Sequence, residues 1–301
     1  MGDGPRVGFI GLGNMGRPMA RNLRQAGFDL VVHDADPDVL SAFVAEHGGT
    51  AATGPADFAD REVVVTMLPN DRIVRTVVLD WEGGLGPHLA DGAVLVDMSS
   101  SSPAGVRAVA EGLAPFGVAV VDAPVSGGVP RAESGELSLM VGGEDDAVAR
   151  ATPVLDVLGG RTFRTGGLGT GDTVKALNNF LAAAGYAAAT EALHIGERLG
   201  VDPATLFEIV NTSTGRSFVT EIVVGGNVVT GAYATGFQLA LLAKDVGIAA
   251  GLAEEAGIDA PALALTNERW QAAAAGAAPG ADHSAAHLQW WPEAAPAEAS
   301  A

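Results

Sequence analysis

Val7-Gly8-Phe9-Ile10-Gly11-Leu12-Gly13-Asn14-Met15-Gly16 is the stretch on which the fold turns. Its first four residues read as a buried strand, and Met15 to Gln25 reads as the helix that follows. Between them stands G-x-G-x-x-G, with a physical use for each glycine. Gly11 permits a tight turn off the strand, Gly13 lets the backbone approach a pyrophosphate, and Gly16 lets the helix pack close to a sheet. The helix N-terminus adds N–H groups and the positive end of a dipole. The glycine pattern alone is a weak signal. A strand before it and a helix after it make Gly11, Leu12, Gly13, Asn14, Met15 and Gly16 a dinucleotide-binding turn.

Working outward, strand and helix patterns alternate. Leu30-Val31-Val32, Val63-Val64-Val65-Thr66-Met67, Ala93-Val94-Leu95-Val96 and Val118-Ala119-Val120-Val121 are short apolar runs separated by helical segments. That order predicts an α/β fold, a doubly wound and mostly parallel sheet. Leu137 to Val141 and Arg161-Thr162-Phe163 read as later strands around a helix at about 145–158. Beyond Gly166-Gly167-Leu168-Gly169-Thr170-Gly171 the strand signals stop. Val174 to Leu199 reads as one long helix, Pro203 opens another to Asn211, and Phe237–Ala256 and Ala260–Ala275 follow. The expected organisation is a nucleotide-binding domain over 1–167, an all-helical domain over 168–291 and a disordered Ala/Pro/Glu/Ser-rich tail over 292–301.

Asp34 lies 18 residues after Gly16 at the end of the second strand. A carboxylate there accepts hydrogen bonds from an adenosine ribose. Ala35, Asp36, Pro37 and Asp38 follow, with no Arg or Lys to take a 2′-phosphate. Three carboxylates within five residues would repel one. The cofactor expected is therefore NAD rather than NADP, while Asp36 and Asp38 are expected to start the next helix.

Composition narrows the classes. The chain has 301 residues, no cysteine and a formal net charge of -19. Disulfides, thiolate metal sites and a cysteine nucleophile are excluded. So acidic a surface repels nucleic acid and anionic membranes. No segment reads as a membrane span or a signal peptide, and Arg6 spoils a myristoylation pattern, so a soluble cytoplasmic protein is expected.

Four further stretches carry a family resemblance. They are Gly11 to Leu23 (GLGNMGRPMARNL), Asp97-Met98-Ser99-Ser100-Ser101-Ser102-Pro103, Asp122-Ala123-Pro124-Val125-Ser126-Gly127-Gly128, and Gly169 to Asn179 (GTGDTVKALNN). With a late Lys244-Asp245 pair, the chain resembles the β-hydroxyacid dehydrogenase family and its 3-hydroxyisobutyrate dehydrogenase branch. The resemblance implies that Lys175 is the catalytic lysine and that Ser126, Gly127, Gly128 and Asn179 hold the substrate. It implies that Leu68 and Pro69 line the adenine–ribose side of the cofactor. Ser100, at a position usually Thr, would lie near the nicotinamide, and Lys244 would reach the cofactor. Ile73 stands where some members carry a polar cofactor contact. The imine reductases, similar in fold, usually replace the lysine and prefer NADPH.

The residues support that chemistry on their own terms. A dinucleotide site supplies a hydride carrier, and oxidising an alcohol also requires removing its hydroxyl proton. Lys175 lies at the expected domain boundary, where clefts form, and shares a helix face with Asn178 and Asn179. A lysine beside apolar residues gives up its proton nearer working pH, so Lys175 can act as the base. In reverse its ammonium would protonate an aldehyde. Asn179 would orient the substrate and Asn178 would support helix packing. Ser126-Gly127-Gly128 exposes successive backbone N–H groups suited to a carboxylate. The expected partner is a small hydroxy acid or semialdehyde: 3-hydroxyisobutyrate first, tartronate semialdehyde or a threonate-type sugar acid as alternatives. A non-catalytic NAD-binding sensor or scaffold is the reading from a different class. A homodimer or homotetramer is expected, and no metal. Arg216 is read as a second anchor for an acid or as an interdomain ion pair. His283 and His287 are read as capping the last helix or lining the cleft, His194 as a helix-surface or interface residue, and Trp290 and Trp291 as docking on the helical domain or on another subunit.

Overall fold

The apolar runs of the first half become strands because β-branched side chains suit a sheet covered on both faces. The structure is a computed structural model, and it describes residues 4–294. In chain order its elements are β1 (Val7–Ile10), α1 (Gly16–Gln25), β2 (Leu30–His33), α2 (Pro37–His47), β3 (Thr50–Ala51), β4 (Val63–Thr66) and α3 (Asp71–Arg75). There follow β5 (Val94–Asp97), α4 (Pro103–Leu113), β6 (Ala119–Asp122), β7 (Val125–Ser126), α5 (Gly128–Ser134), β8 (Leu137–Gly142), α6 (Asp145–Leu158) and β9 (Gly159–Gly166). The sheet runs β3-β2-β1-β4-β5-β6-β8-β7, with β9 also on β8. From β3 to β6 every pairing is parallel, as expected of crossovers. Antiparallel pairing of β6 and β7 with β8 was not foreseen, because two-residue β7 is too short to show a period.

Strand alternation sorts the core into two layers. Val7, Phe9, Val63, Val65, Val94 and Val96 pack with Met19 and Leu23 of α1 and Val154 and Leu155 of α6. Val64 and Leu95, one residue out of phase, pack with Val106 and Val109 of α4. Each such side chain contributes about 1.5–3 kcal/mol when fully buried. These layers hold the strand ends in register, and the candidate residues begin at those ends.

The chain falls into two compact units, Met1–Lys175 and Ala176–Ala301. Helix α7 (Thr170–Arg198) runs from the first into the second. It starts four residues before the expected Val174. The reason is a carboxylate far away in sequence: Asp122 accepts from the Gly169 and Asp172 N–H groups at 2.8 and 2.9 Å. The second unit continues with α8 (Pro203–Asn211), a π-helical segment (Val219–Val228), α9 (Leu239–Ala256), α10 (Pro261–Gly276) and α11 (His287–Trp290). Its core gathers Tyr186, Phe207, Leu242, Val246 and Trp270. The π-helical segment fills a stretch that carries no clear sequence period.

The end of the chain differs from expectation. Pro292–Ala294 form a short 3-10 turn, and Arg198 pairs with Glu293 at 2.7 Å. The rest of the expected tail, 295–301, lies outside the described residues. Trp290 docks within the helical unit, its indole against Trp270 and its N–H donated to the Arg269 carbonyl at 3.0 Å.

Candidate active site

Parallel register lines up one row of residues across the sheet: His33, Ile10, Thr66, Asp97 and Asp122, on β2, β1, β4, β5 and β6. Each candidate loop of the first unit leaves the sheet just after that row. Gly11 to Gly16 follow β1, Asp34 follows β2, Leu68 and Pro69 follow β4, Ser100 follows β5, and beyond β6 the short β7 ends at Ser126, with Gly127 and Gly128 next. Ligands of open parallel sheets bind outside the carboxyl ends of the strands, where strand order reverses. Here the order reverses at β1, which lies between β2 and β4.

The turn after β1 fits a dinucleotide. Gly11 has φ +101°, and a Cβ there would stand 2.3 Å from the Met67 carbonyl oxygen. A Cβ at Gly16 would meet the Gly11 oxygen at 1.8 Å, so the helix can start this close only as glycine. At Gly13 a Cβ would meet nothing within 4 Å, which leaves the backbone open to a ligand. No side chain caps α1, so its first N–H groups are not taken by a capping oxygen. The Arg17 N–H turns back to the Gly13 carbonyl at 3.0 Å, and the uncapped helix start beside it suits a pyrophosphate. Asp34 turns one oxygen to the Leu12 N–H at 2.6 Å and the other to the Asp36 N–H at 2.9 Å. Its carboxylate is fixed beside the glycine turn with lone pairs left for ribose hydroxyls. Asp36 caps α2 by accepting from the Asp38 and Val39 N–H groups, as expected.

Asp97 ties the neighbouring loops together. Its buried carboxylate accepts from the Thr66 hydroxyl at 2.9 Å, the Ser99 N–H at 3.0 Å and the Ser101 hydroxyl at 2.6 Å. Ser99 Oγ in turn accepts from the Leu68 N–H at 2.9 Å. Burial pushes the Asp97 carboxyl up from its ordinary value, and hydrogen bonds from Ser101, Ser99 and Thr66 oppose that. Leu68 and Ser100 are thereby held on loops joined by one carboxylate. Ile73 is partly exposed, and its N–H is spent on the Asn70 side chain at 2.9 Å.

Lys175 is half-buried on α7, and its ammonium donates to the Val125 carbonyl at 2.8 Å. Ser126, Gly127 and Gly128 follow Val125 directly, with Gly127 and Gly128 exposed. The lysine and the Ser126–Gly128 loop are thus joined by a direct contact. One turn along α7, Asn179 is 6% exposed and donates to Asp245 at 2.5 Å. Asp245 also pairs with Lys244 at 3.0 Å. Asn178 is exposed and donates to the Asn179 side-chain oxygen at 3.1 Å, so it braces Asn179 and does not pack the helix. Asp97, Asp122 and Asp245 were quoted only as parts of motifs. A lone carboxylate closing an apolar strand, as in Val-Leu-Val-Asp97 and Val-Val-Asp122, was the available signal.

Residues weighed outside the site settle elsewhere. Arg216 forms two hydrogen bonds with Glu221, five residues on, so its partner is local and not interdomain. His283 and His287 are buried in the helical unit and cap or line nothing exposed. His194 stacks on His287 with centroids 5.3 Å apart, not on the bare helix surface. Among the described residues no group of three or more His, Asp or Glu could hold a metal, and no helix is long and apolar enough to cross a membrane.

Comparison with known proteins extends the geometry. Residues 6–167 match the family described as the NAD binding domain of 6-phosphogluconate dehydrogenase. Residues 169–289 match the family described as NAD-binding of NADP-dependent 3-hydroxyisobutyrate dehydrogenase. The chain is 37% identical to 2-(hydroxymethyl)glutarate dehydrogenase of Eubacterium barkeri, over 87% of each chain. It is 38% identical to 3-hydroxyisobutyrate dehydrogenase of Pseudomonas aeruginosa, over 86% of this chain and 89% of that one. Among solved structures it is similar to Mycobacterium tuberculosis 3-hydroxyisobutyrate dehydrogenase with L-serine, at TM-score 0.87 and 30% identity, over 96% of this chain and 99% of that one.

Proposed function

The chain belongs to the β-hydroxyacid dehydrogenase family, in its 3-hydroxyisobutyrate dehydrogenase-like branch, and from that premise we propose that it oxidises 3-hydroxyisobutyrate with Lys175 as the general base. It is an NAD-dependent oxidoreductase of hydroxy acids. The observation that carries the lysine's role is its contact with Val125, which joins the one lysine of the first unit to the Ser126–Gly128 loop.

Bound NAD supplies the hydride acceptor at the carbinol carbon. The Gly11–Gly16 turn and the start of α1 receive its pyrophosphate, and Asp34 receives the adenosine ribose. Leu68, Pro69 and Ser100 line its path, and Lys244 approaches it. The backbone N–H groups of Ser126, Gly127 and Gly128 hold the substrate carboxylate. Lys175 Nζ, aimed by the Val125 carbonyl, takes the hydroxyl proton, and in reverse returns it. Asn179, held by Asp245, fixes the angle of the carbinol.

The named substrates of two relatives share one skeleton. 3-Hydroxyisobutyrate and 2-(hydroxymethyl)glutarate are both HO–CH2–CH(R)–COO−, and the L-serine in the mycobacterial structure has the same form. The substrate class is therefore a 3-hydroxypropanoate substituted at carbon 2, with R a methyl group in the favoured case. We place the enzyme in the cytoplasm as a dimer or tetramer, without nucleic-acid or membrane partners. The test is Lys175→Ala, assayed by NADH formation across a panel of such acids. A general base contributes about 10²–10⁴-fold, so turnover falls by that factor while NAD binding stays. Full turnover in the variant would falsify the assignment, and a preference of the native enzyme for another skeleton would overturn the substrate.

A further inference from the structure

The Asp122 carboxylate stands at the end of β6, under the loop that leads to Val125 and Ser126. Its two oxygens are spent on a helix fifty residues away. Oδ1 accepts from the Gly169 N–H at 2.8 Å and Oδ2 from the Asp172 N–H at 2.9 Å. These are N–H groups at the start of α7, which no partner within a helix can satisfy. Asp122 therefore caps α7 from the sheet. Three residues after it, Val125 accepts from the Lys175 ammonium at 2.8 Å, three residues into the helix from Asp172. Loop and helix are pinned at two points about one turn apart.

The glycines around this contact show how closely the parts are fitted. A Cβ at Gly171 would stand 2.2 Å from the Met140 oxygen and 2.8 Å from Asp122 Oδ2. A Cβ at Gly142 would stand 2.4 Å from Asp122 Oδ1. The carboxylate thus sits where only bare backbone leaves room, 0% exposed. Helical side chains lean toward the N-terminus, which tilts Lys175 toward the capped end.

We propose that Asp122 is the positioning residue for Lys175: by capping α7 from β6 it sets where the lysine meets the carboxylate loop. The inference rests on the reading of Lys175 as the base. Asp122 itself touches neither substrate nor cofactor. Burial raises the Asp122 carboxyl, and N–H groups of Gly169 and Asp172 pull it back. The charged residues nearest it along the packed elements are Asp172, whose backbone N–H it accepts, Lys175 one turn further along α7, and Arg107 of α4, whose guanidinium approaches Gly169.

The experiment is Asp122→Asn in the full-length enzyme. The amide keeps the volume, but it puts an NH2 against one of the two helix N–H groups. A misplacement of about 1 Å can cost about 10²-fold, so kcat falls by roughly 10- to 100-fold while the NAD dissociation constant stays within about twofold. Loss of a negative charge near the ammonium also moves the acid-side inflection of kcat to lower pH. Unchanged kcat, or a loss with the inflection in place, overturns the proposal. Gly171→Ala is the second variant, because its Cβ would push α7 away from Met140 and Asp122 while leaving the carboxylate's charge in place. It too should lose kcat and shift the inflection, and native behaviour there counts against the proposal. If Lys175→Ala retains turnover, the base assignment falls. If Lys175→Ala is inactive and Asp122→Asn is native, only the positioning role falls.

Discussion

At the residue scale, two basic side chains stand apart. Lys175 and Lys244 are the only lysines of the chain, and every other Lys or Arg position is arginine. Arginine stays charged at any working pH, whereas lysine can give up its proton. Lys175 is thus the one lysine of the first unit, and unlike the arginines around it, it can cycle a proton. Asp34 makes the opposite use of charge. Held by two N–H groups, its carboxylate meets ribose hydroxyls well and a 2′-phosphate badly. Asp34→Ala should lower kcat/KM for NAD about 10- to 100-fold, the equivalent of one charged hydrogen bond, and leave NADP unharmed or improved. An unchanged NAD-to-NADP ratio would remove Asp34 from cofactor choice. Both residues were readable in sequence, since each sits at a fixed offset from a glycine motif. Asp97, Asp122 and Asp245 were not, because the partners that give them their roles, Thr66, Gly169 and Asn179, lie 31 to 66 residues away.

At the element scale, α11 is a short helix tied to its neighbours by the side chain of His287. His287 Nδ1 lies 3.2 Å from His194 Nε2 on α7, and its Nε2 lies 3.3 Å from the Tyr233 hydroxyl. Burial, with His194 alongside, depresses His287 from 6.5 to about 4. The unfolded chain therefore binds a proton that the folded chain refuses between those values. The stability this contributes is present above about pH 6.5 and lost as pH falls through about 4, to the extent of roughly 2–3 kcal/mol. Thermal melting followed between those limits should fall with acid, and His287→Leu should flatten the slope. An equal slope in the variant would assign it to other groups. Sequence periodicity located the long helices, where many turns repeat the pattern. It did not show β7 or the π-helical Val219–Val228, whose form depends on neighbours.

At the scale of the whole molecule, charge and apolar surface pull in opposite directions. The chain carries -19 at neutral pH, which repels a second copy. Yet α7 exposes Leu177, Leu181 and Ile195, at 42%, 68% and 60%, and Leu199 just past its end adds to that apolar surface. Self-association through that helix should therefore strengthen as salt screens the charge. Light scattering should give a multiple of the single-chain mass, with Leu181→Asp shifting it toward one chain. A monomer at all salt concentrations would refute the assembly.

The sequence by itself determined the class of molecule: an alternating sheet with a dinucleotide turn, a helical second half, and a lysine at a motif offset. These follow from local rules, because a turn, a strand period and a helix face are set by residues within a few positions. Tertiary structure decided the rest. It placed His33, Ile10, Thr66, Asp97 and Asp122 in one row. It moved the start of α7 to Thr170 by lending it a cap from β6, and it turned His283 and His287 into core residues. The physical reason is the same in each case: a buried polar group must find its partner, and the partner is chosen by the fold and not by spacing along the chain.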